Sequence, residues 1–350
     1  MSDRTTAADQ GIPAQNDDPE KPSDSDENAS SPRVSAGVLR NLGLVIALAL
    51  LVVVGVVSSG ESFASTDNMM TILRLGATLG VVSIGMTFVI TGGGIDLSVG
   101  AVLALASVWA STSGTLAMAE DVHWIVIVTT ALLVGTAAGV VNGVLIAYGK
   151  VVPFIATLAM LASARGLAEL MSDQQTQIVT NSGFLDFFRA DPLGIPVLVI
   201  IFAVVAVIGW IVLNRTTFGR RTFAVGGNPE AARLAGIKVQ RHTLYLYALA
   251  GLCAGIGAVM LMARTTTGTS THGQLMELDA IAAVVIGGTL LMGGRGSIVG
   301  TVLGVLILTT LTNVFTQNNM SISAQATAKG VIIVIAVLLQ QWLAKRNKST

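Results

Sequence analysis

The chain is short of charge, of cysteine and of histidine. Only 11% of its 350 residues are charged, against about 25% in an ordinary soluble domain. A soluble enzyme of this length needs a far more polar surface, so that class is excluded. The single cysteine, Cys253, lies in an apolar run with no metal-ligand spacing around it, and alone it forms no internal disulfide. It reads as a small residue facing lipid or another helix. The three histidines, His123, His242 and His272, are scattered, and no H-E-x-x-H occurs. No G-x-x-x-x-G-K-[ST] phosphate loop is present. The nearest approach, ending Gly149-Lys150-Val151, has the wrong spacing and no hydroxyl. Chains of Asp, Glu and His that mark a proton relay are missing. No nucleophile, base or metal constellation appears. The chain therefore carries no energy source, no bound cofactor and no chemistry of its own.

What it has is apolar sequence. Hydrophobic residues make up 52% of it, glycine contributes 38 residues, and mean hydropathy is +0.74. A helix needs about 20 such residues to cross the hydrocarbon core. Ten windows qualify as candidates: 38–58, 69–91, 97–117, 123–147, 153–171, 193–213, 243–263, 279–292, 297–315 and 324–343. The eighth is short and the second ends in three glycines, so both are expected to be broken or tilted. The expected fold is an all-α polytopic membrane protein with about ten transmembrane helices and broken or short segments near 92–100 and 279–297.

A net charge of zero conceals an asymmetry. Residues 1–35 hold eight acids and three bases. They are rich in Ser, Pro and Asn, and cannot bury enough surface to offset the entropy of ordering. They read as a disordered acidic tail, followed by a membrane domain over 36–345 and a short end at 346–350. With the N-terminus inside, 15 of the 20 bases fall on the cytoplasmic side, as the positive-inside rule requires. Both termini are then cytoplasmic, and loop 214–242 is the longest basic cytoplasmic segment.

Two stretches resemble each other. Ile84-Gly85-Met86-Thr87 precedes the glycine-rich run 92–100, and Ile286-Gly287-Gly288-Thr289 precedes the run 293–300. Paired glycine interruptions in two halves point to a transport site, or they simply permit close helix packing. Candidates for a path or gate are Gly93, Gly94, Asp96, Ser98, Asn142, Phe154, Gly293 and Gly294. Asp96 reads either as the N-cap of the third helix or as the inner mouth of a permeation path. Within the basic loop, residues 228–236 read as a complete short helix: Asn228 as N-cap, Pro229 at the first helical position, Gly236 at the exit. Two exposed turns are unstable alone, so either the helix lies on lipid headgroups, for which its small mixed face is poorly suited, or a docking partner engages Gly227, Asn228, Pro229, Glu230, Ala231, Arg233, Leu234 and Gly236. Near the outer ends, Arg165 and Glu169 are spaced to pair along one helix face. Arg74, Asp279 and Lys329 join them as charges that snorkel, pair or meet an external partner.

Four ordered stretches resemble the monosaccharide (ribose-type) permeases of bacterial ABC importers. Residues 91–100 (TGGGIDLSVG) are similar to that family's GGIDLSVG signature. Residues 152–158 (VPFIATL), with Ala164-Arg165-Gly166, resemble its PFIATL…RG stretch. Residues 218–237, which include GGNPEAARLAGI, resemble its ATPase-facing loop. Residues 277–296 resemble its ELDAIAAVVIGGT…GG stretch, and Lys329 matches a lysine common in its last helix. The resemblance covers about 38–345; an extra glycine before Ile95 and a long tail depart from the pattern. It implies a permease subunit, paired with a second copy, in the bacterial inner membrane. It implies a cytoplasmic ATPase that uses the ATP and engages 228–237, and a periplasmic or lipid-anchored binding protein that delivers a sugar. No nucleic-acid partner is implied. A permease for branched-chain amino acids or another small nutrient is the alternative. A stand-alone carrier is a further one, but it needs intramembrane acids that the windows lack.

Overall fold

A computed structural model describes residues 36–346. The expected tail, 1–35, and residues 347–350 lie outside the described residues. The remainder is almost wholly helical, so the all-α polytopic class holds. The two strands among the described residues, β1 (Gln177–Ile178) and β2 (Thr267–Gly268), pair antiparallel with Gln177 opposite Gly268.

Seven described helices are long and apolar enough to cross a membrane: α1 (Ala36–Ala64), α2 (Thr66–Thr91), α5 (Ile125–Ala147), α6 (Pro153–Ser172), α8 (Val197–Arg215), α11 (Val239–Thr265) and α13 (Ile298–Gln317). α3 (Val99–Ala110) and α4 (Ser113–Asp121) form an eighth candidate, bent by 57°. The bend falls where Thr112 restarts the helix by accepting the amide of Thr115. The expected count of about ten is not confirmed. The eighth window falls on α12 (Met276–Ile286), whose 11 residues reach only about 16 Å. The tenth falls on α14 (Ile322–Arg346). Between them lie α7 (Ser182–Arg189), α9 (Thr217–Gly227) and α10 (Pro229–Leu234).

The path of residues 266–275 explains why α12 is short. A side chain at Gly268 would meet the carbonyl of Ser107 at 2.6 Å, near the far end of α3. One at Gly273 would meet the carbonyl of Gly100 at 2.7 Å, in the first turn of α3. Those two points lie about 10–16 Å apart along α3. The chain leaving α11 thus turns back along α3, and α12 begins partway down the bundle.

The centre of the bundle is made of α2, α3, α11 and α13. In the most apolar window of α2, 83% of residues are buried inside the protein, against 6% for α1. Lipid is as apolar as leucine, so helices in a membrane associate by backbone proximity and dispersion rather than by expulsion of water. α5 and α11 do this along glycines spaced by four. A side chain at Gly135 would lie 2.5 Å from the carbonyl of Gly251 and 2.9 Å from Gly255 Cα. Cys253 is buried on the same helix and faces Gly85 of α2 rather than lipid. At the start of α2, Asn68 and Asn313 exchange amide hydrogen bonds of 3.1 and 2.7 Å, both buried.

Candidate functional site

Two helices end in the same way at one end of the bundle. α2 stops with the amide of Gly93 donating to Ile90 O (2.9 Å) and that of Gly94 to Val89 O (3.0 Å), with Gly93 at φ 85°. α12 stops with Gly288 donating to Val285 O (2.8 Å) and Thr289 to Val284 O (3.1 Å), with Gly288 at φ 84°. This paired closure needs a left-handed residue, which glycine adopts without a Cβ penalty. The structural correspondence is therefore Gly93 with Gly288. The expected match of Ile84–Thr87 with Ile286–Thr289 is out of register, because Ile84–Thr87 lies inside α2 while Ile286–Thr289 sits at the stop of α12. Serine precedes the restart in both halves: Ser98 before α3, and Ser297 before α13, where its Oγ accepts the amide of Gly300 at 3.1 Å.

Beyond its stop, the second half reaches across to the first. Gly294 donates its amide to Thr91 O at 2.9 Å. Gly293 (φ 82°) lies so close that a side chain there would sit 2.8 Å from Gly93 Cα and 2.7 Å from Gly226 O. A side chain at Gly226 would strike Thr91 O and lie 2.6 Å from the Gly294 amide. Three backbones, from α2, α9 and the segment after α12, thus touch without intervening side chains. Gly93, Gly293 and Gly294 were expected here. Gly226 and Gly296, which abuts Thr91, were not; the signal available was the Gly226-Gly227 pair directly before a helix cap.

α10 follows from this junction. Asn228 Oδ1 accepts the amides of Glu230 (3.1 Å) and Ala231 (3.0 Å), and Pro229 occupies the first helical position. Gly236 (φ 82°) closes the exit, its amide donating to Arg233 O and that of Ile237 to Ala232 O, both at 3.0 Å. Ala232 is buried; Glu230, Ala231, Arg233 and Leu234 point outward, Leu234 with 79% of its surface free. Arg233 pairs with Glu230 at 2.5 Å and holds that carboxyl below the usual carboxylate range through the hydrogen bond and its charge. Gly227 is also exposed. A cavity of about 140 Å³ beside the junction is lined by Gly93, Gly94, Pro153, Pro229, Thr243 and Tyr247.

Further into the bundle, Asp96 is 2% exposed. Its Oδ1 accepts from the backbone N–H (2.9 Å) and the hydroxyl (2.6 Å) of Ser98, whose Oγ also accepts from Asn142 Nδ2 (2.9 Å). Asp96 thus closes a turn ahead of α3 and is not its N-cap; Ser98 holds that position. Tyr247 donates its hydroxyl to Ile95 O at 3.3 Å, and Asn142 Oδ1 has no partner among the described residues. Phe154 does not join this cluster. It is 53% exposed, and α6 approaches through Thr157, whose hydroxyl lies 3.5 Å from Ile95 O.

The other charged candidates lie away from the junction. Arg165 does not pair with Glu169, which is exposed. Its guanidinium donates to the carbonyls of Ser270 and His272, the second at 2.8 Å, and so pins the returning segment 266–275. Glu277 is buried nearby with Oε2 unpartnered among the described residues. Lys329 of α14 pairs with Asp279 of α12 at 3.1 Å. Both line a cavity of about 180 Å³ together with Arg264 and Gln274. Arg74 pairs with Asp191 at 2.9 Å. No group of His, Cys, Asp and Glu among the described residues is arranged to hold a metal.

Seven or eight apolar helices among the described residues, with two of the bundle's helices ending on glycine stops, suit a multi-pass membrane transporter. The family described as "Branched-chain amino acid transport system / permease component" matches residues 68–339. The chain is 45% identical to the ribose import permease protein RbsC of Bacillus subtilis over 87% of its own length and 94% of that protein. It is 40% identical to the ribose import permease protein RbsC of Escherichia coli K12 (83% and 91% of the two chains) and 37% identical to the fructose import permease protein FrcC of Rhizobium meliloti (86% and 85%). No solved structure matches. The chain belongs to this family of transport-system permease components. It is a transporter subunit rather than an enzyme, and the sugar reading fits these relatives better than the branched-chain alternative.

Proposed function

We propose that the chain is the permease subunit of an ABC importer for ribose or a similar monosaccharide in the bacterial inner membrane. The relatives named for ribose and fructose support the substrate class. The α10 end carries Arg220, Arg221, Arg233, Lys238 and Arg241, a bias that supports its placement on the cytosolic side. A partner ATPase grips α10 and uses the ATP. A sugar-binding protein delivers cargo at the opposite face, and a second permease copy completes the path. This chain binds no cofactor.

The observation that carries the coupling step is the continuous backbone contact from α10 through Gly226 to Gly93, Thr91 and Gly294. Bare backbones have no rotamers to absorb a displacement, so close-packed elements move together. A push on α10 therefore shifts the cytosolic ends of α2 and α12 and switches the bundle between outward and inward access. No covalent chemistry occurs in this chain.

The test is energised ribose uptake in vesicles holding the ATPase and the binding protein. Glu230→Arg combined with Arg233→Glu is expected to abolish coupling while leaving expression and folding intact. Unaltered ATP-dependent uptake by the well-expressed double variant would refute the role of α10. Uptake that ribose, fructose and allose all fail to compete would refute the sugar class.

A further inference from the structure

Beside α10 lies a second feature that the coupling step does not use. A recess of about 540 Å³ is walled by Arg221, Lys238, Arg241, Phe218, His242 and Tyr245. Its volume is in the range of small-ligand sites. Three of its walls are cations, and none lines up with an acid. No carboxylate borders the recess, and none of the three cations is in an ion pair among the described residues. The nearest acid in sequence, Glu230, is already tied to Arg233.

The recess is also braced. Arg241 Nε donates to Tyr245 Oη at 2.7 Å, and its guanidinium lies 5.4 Å from the centre of that ring. Phe218 packs at 4.6 Å, centre to centre, on His242, which is held by the Thr222 hydroxyl at 2.9 Å. The arginine is therefore held in place before a ligand arrives, which lowers the ordering cost of binding. Arg241 presents its remaining N–H donors in the planar fork that suits phosphate oxygens.

Its position decides which phosphate. The recess starts directly after α8, whose residues Val204, Val207, Ile208 and Ile211 are exposed apolar side chains facing outward. At the end of α8, Arg215 sits 5.3 Å from the Trp210 ring, an aromatic–basic pair of the kind found at headgroup level. The Arg241–Tyr245 face of α11 continues into its part-exposed residues Leu249, Leu252 and Ile256. The walls thus stand at the ends of two helices whose outward faces carry apolar side chains, and basic pockets at headgroup level between helices hold anionic headgroups. We infer that this recess binds the phosphodiester of an anionic phospholipid of the leaflet on the α10 side. The inference rests on the membrane placement of the chain and not on its cargo or its ATPase. A bound lipid would brace loop 214–242, and with it the base of α10.

The experiment is lipid retention by the purified full-length chain in a neutral detergent, read by native mass spectrometry. The probes are phosphatidylglycerol, phosphatidylcholine and inorganic phosphate. Wild type is expected to keep phosphatidylglycerol in preference to phosphatidylcholine. Arg221→Gln, Lys238→Gln and Arg241→Gln together are expected to weaken that retention at least about tenfold, since each basic residue near a surface adds to anionic-lipid affinity. The charge-conserving variant Arg221→Lys with Lys238→Arg, which leaves the braced Arg241 in place, is expected to keep most of it, which separates lost charge from lost fold. Equal retention by wild type and the Gln triple would overturn the inference. Displacement of the lipid by equimolar inorganic phosphate would overturn the lipid assignment in favour of a soluble anion. Unchanged lipid retention together with lost ATPase co-purification in the Gln triple would overturn it in favour of protein docking. None of these readouts depends on sugar uptake, so the two readings fail independently.

Discussion

The breaks at 92–98 and 287–297 begin with the same closure and end with the same residue, yet they are built for different work. In the first, Gly93 is exposed but the segment then turns inward, where Asp96 and Ser98 are buried. Asp96, Ser98 and Asn142 form a short chain of hydrogen bonds between α3 and α5, and Tyr247 of α11 adds its hydroxyl. The second turns outward. Met292 is 89% exposed, Arg295 is exposed, and the glycines between them lie against α9 and the end of α2. Both meet α9 through their glycines, but only the first goes on to anchor three helices to each other through buried polar side chains. Turn chemistry alone does not distinguish them. The side chains that follow the glycine stop do.

The contrast can be broken most severely at the contact between the halves. Gly226→Val places a side chain into Thr91 O and the Gly294 amide, and uptake is expected to vanish with a fall in assembled protein. Gly227→Ala, whose nearest neighbour is Gly294 Cα at 4.0 Å, is expected to transport within about twofold of wild type, because ordinary van der Waals contact adds little strain. Normal uptake by Gly226→Val would mean that the three backbones do not meet. Next in size is the buried anchor. Asp96→Ala strips the acceptor from the Ser98 amide and hydroxyl and is expected to cost about 1–3 kcal/mol in a detergent unfolding titration. An unchanged midpoint would show that the first break holds nothing.

Smaller effects sharpen the comparison. Lys329→Met removes a part-exposed pair with Asp279 and is expected to cost about 1 kcal/mol or less, read as a slight fall in thermal midpoint. A loss as large as that of Asp96→Ala would make α14 part of the anchor. Smallest is Arg295→Ala in the outward break, expected within about 0.5 kcal/mol of wild type. A large loss there would erase the difference between the two breaks.

Much of this was readable in advance. The apolar windows found the helices, since lipid solvation depends on local composition. Asn228-Pro229 and Gly236 found α10 to within a residue, because caps act on adjacent amides. Gly93 and Gly294 were singled out as glycines that interrupt a span. The rest needed partners remote in the chain. Arg165 looked like a mate for Glu169 four residues on, but two carbonyls more than a hundred residues away take its donors. Phe154 sits in a distinctive stretch and still faces outward, while Thr157 on the same helix faces in. Gly226 matters because of Thr91 and Gly294, and no spacing rule links those positions. The repeat was visible but misaligned, since its defining feature is the hydrogen-bond closure at each stop rather than the letters preceding it.

Composition, periodicity and local caps by themselves determined a helical membrane protein, two glycine stops and one short exposed helix. Each of those follows from how a residue interacts with solvent or with amides a few positions away. Tertiary structure alone decided that residues 266–275 return along α3, that α12 is consequently short, and that three glycine backbones from distant elements converge. Those outcomes depend on which surfaces approach closely enough for dispersion and hydrogen bonds to act, and that is settled only when the whole bundle packs.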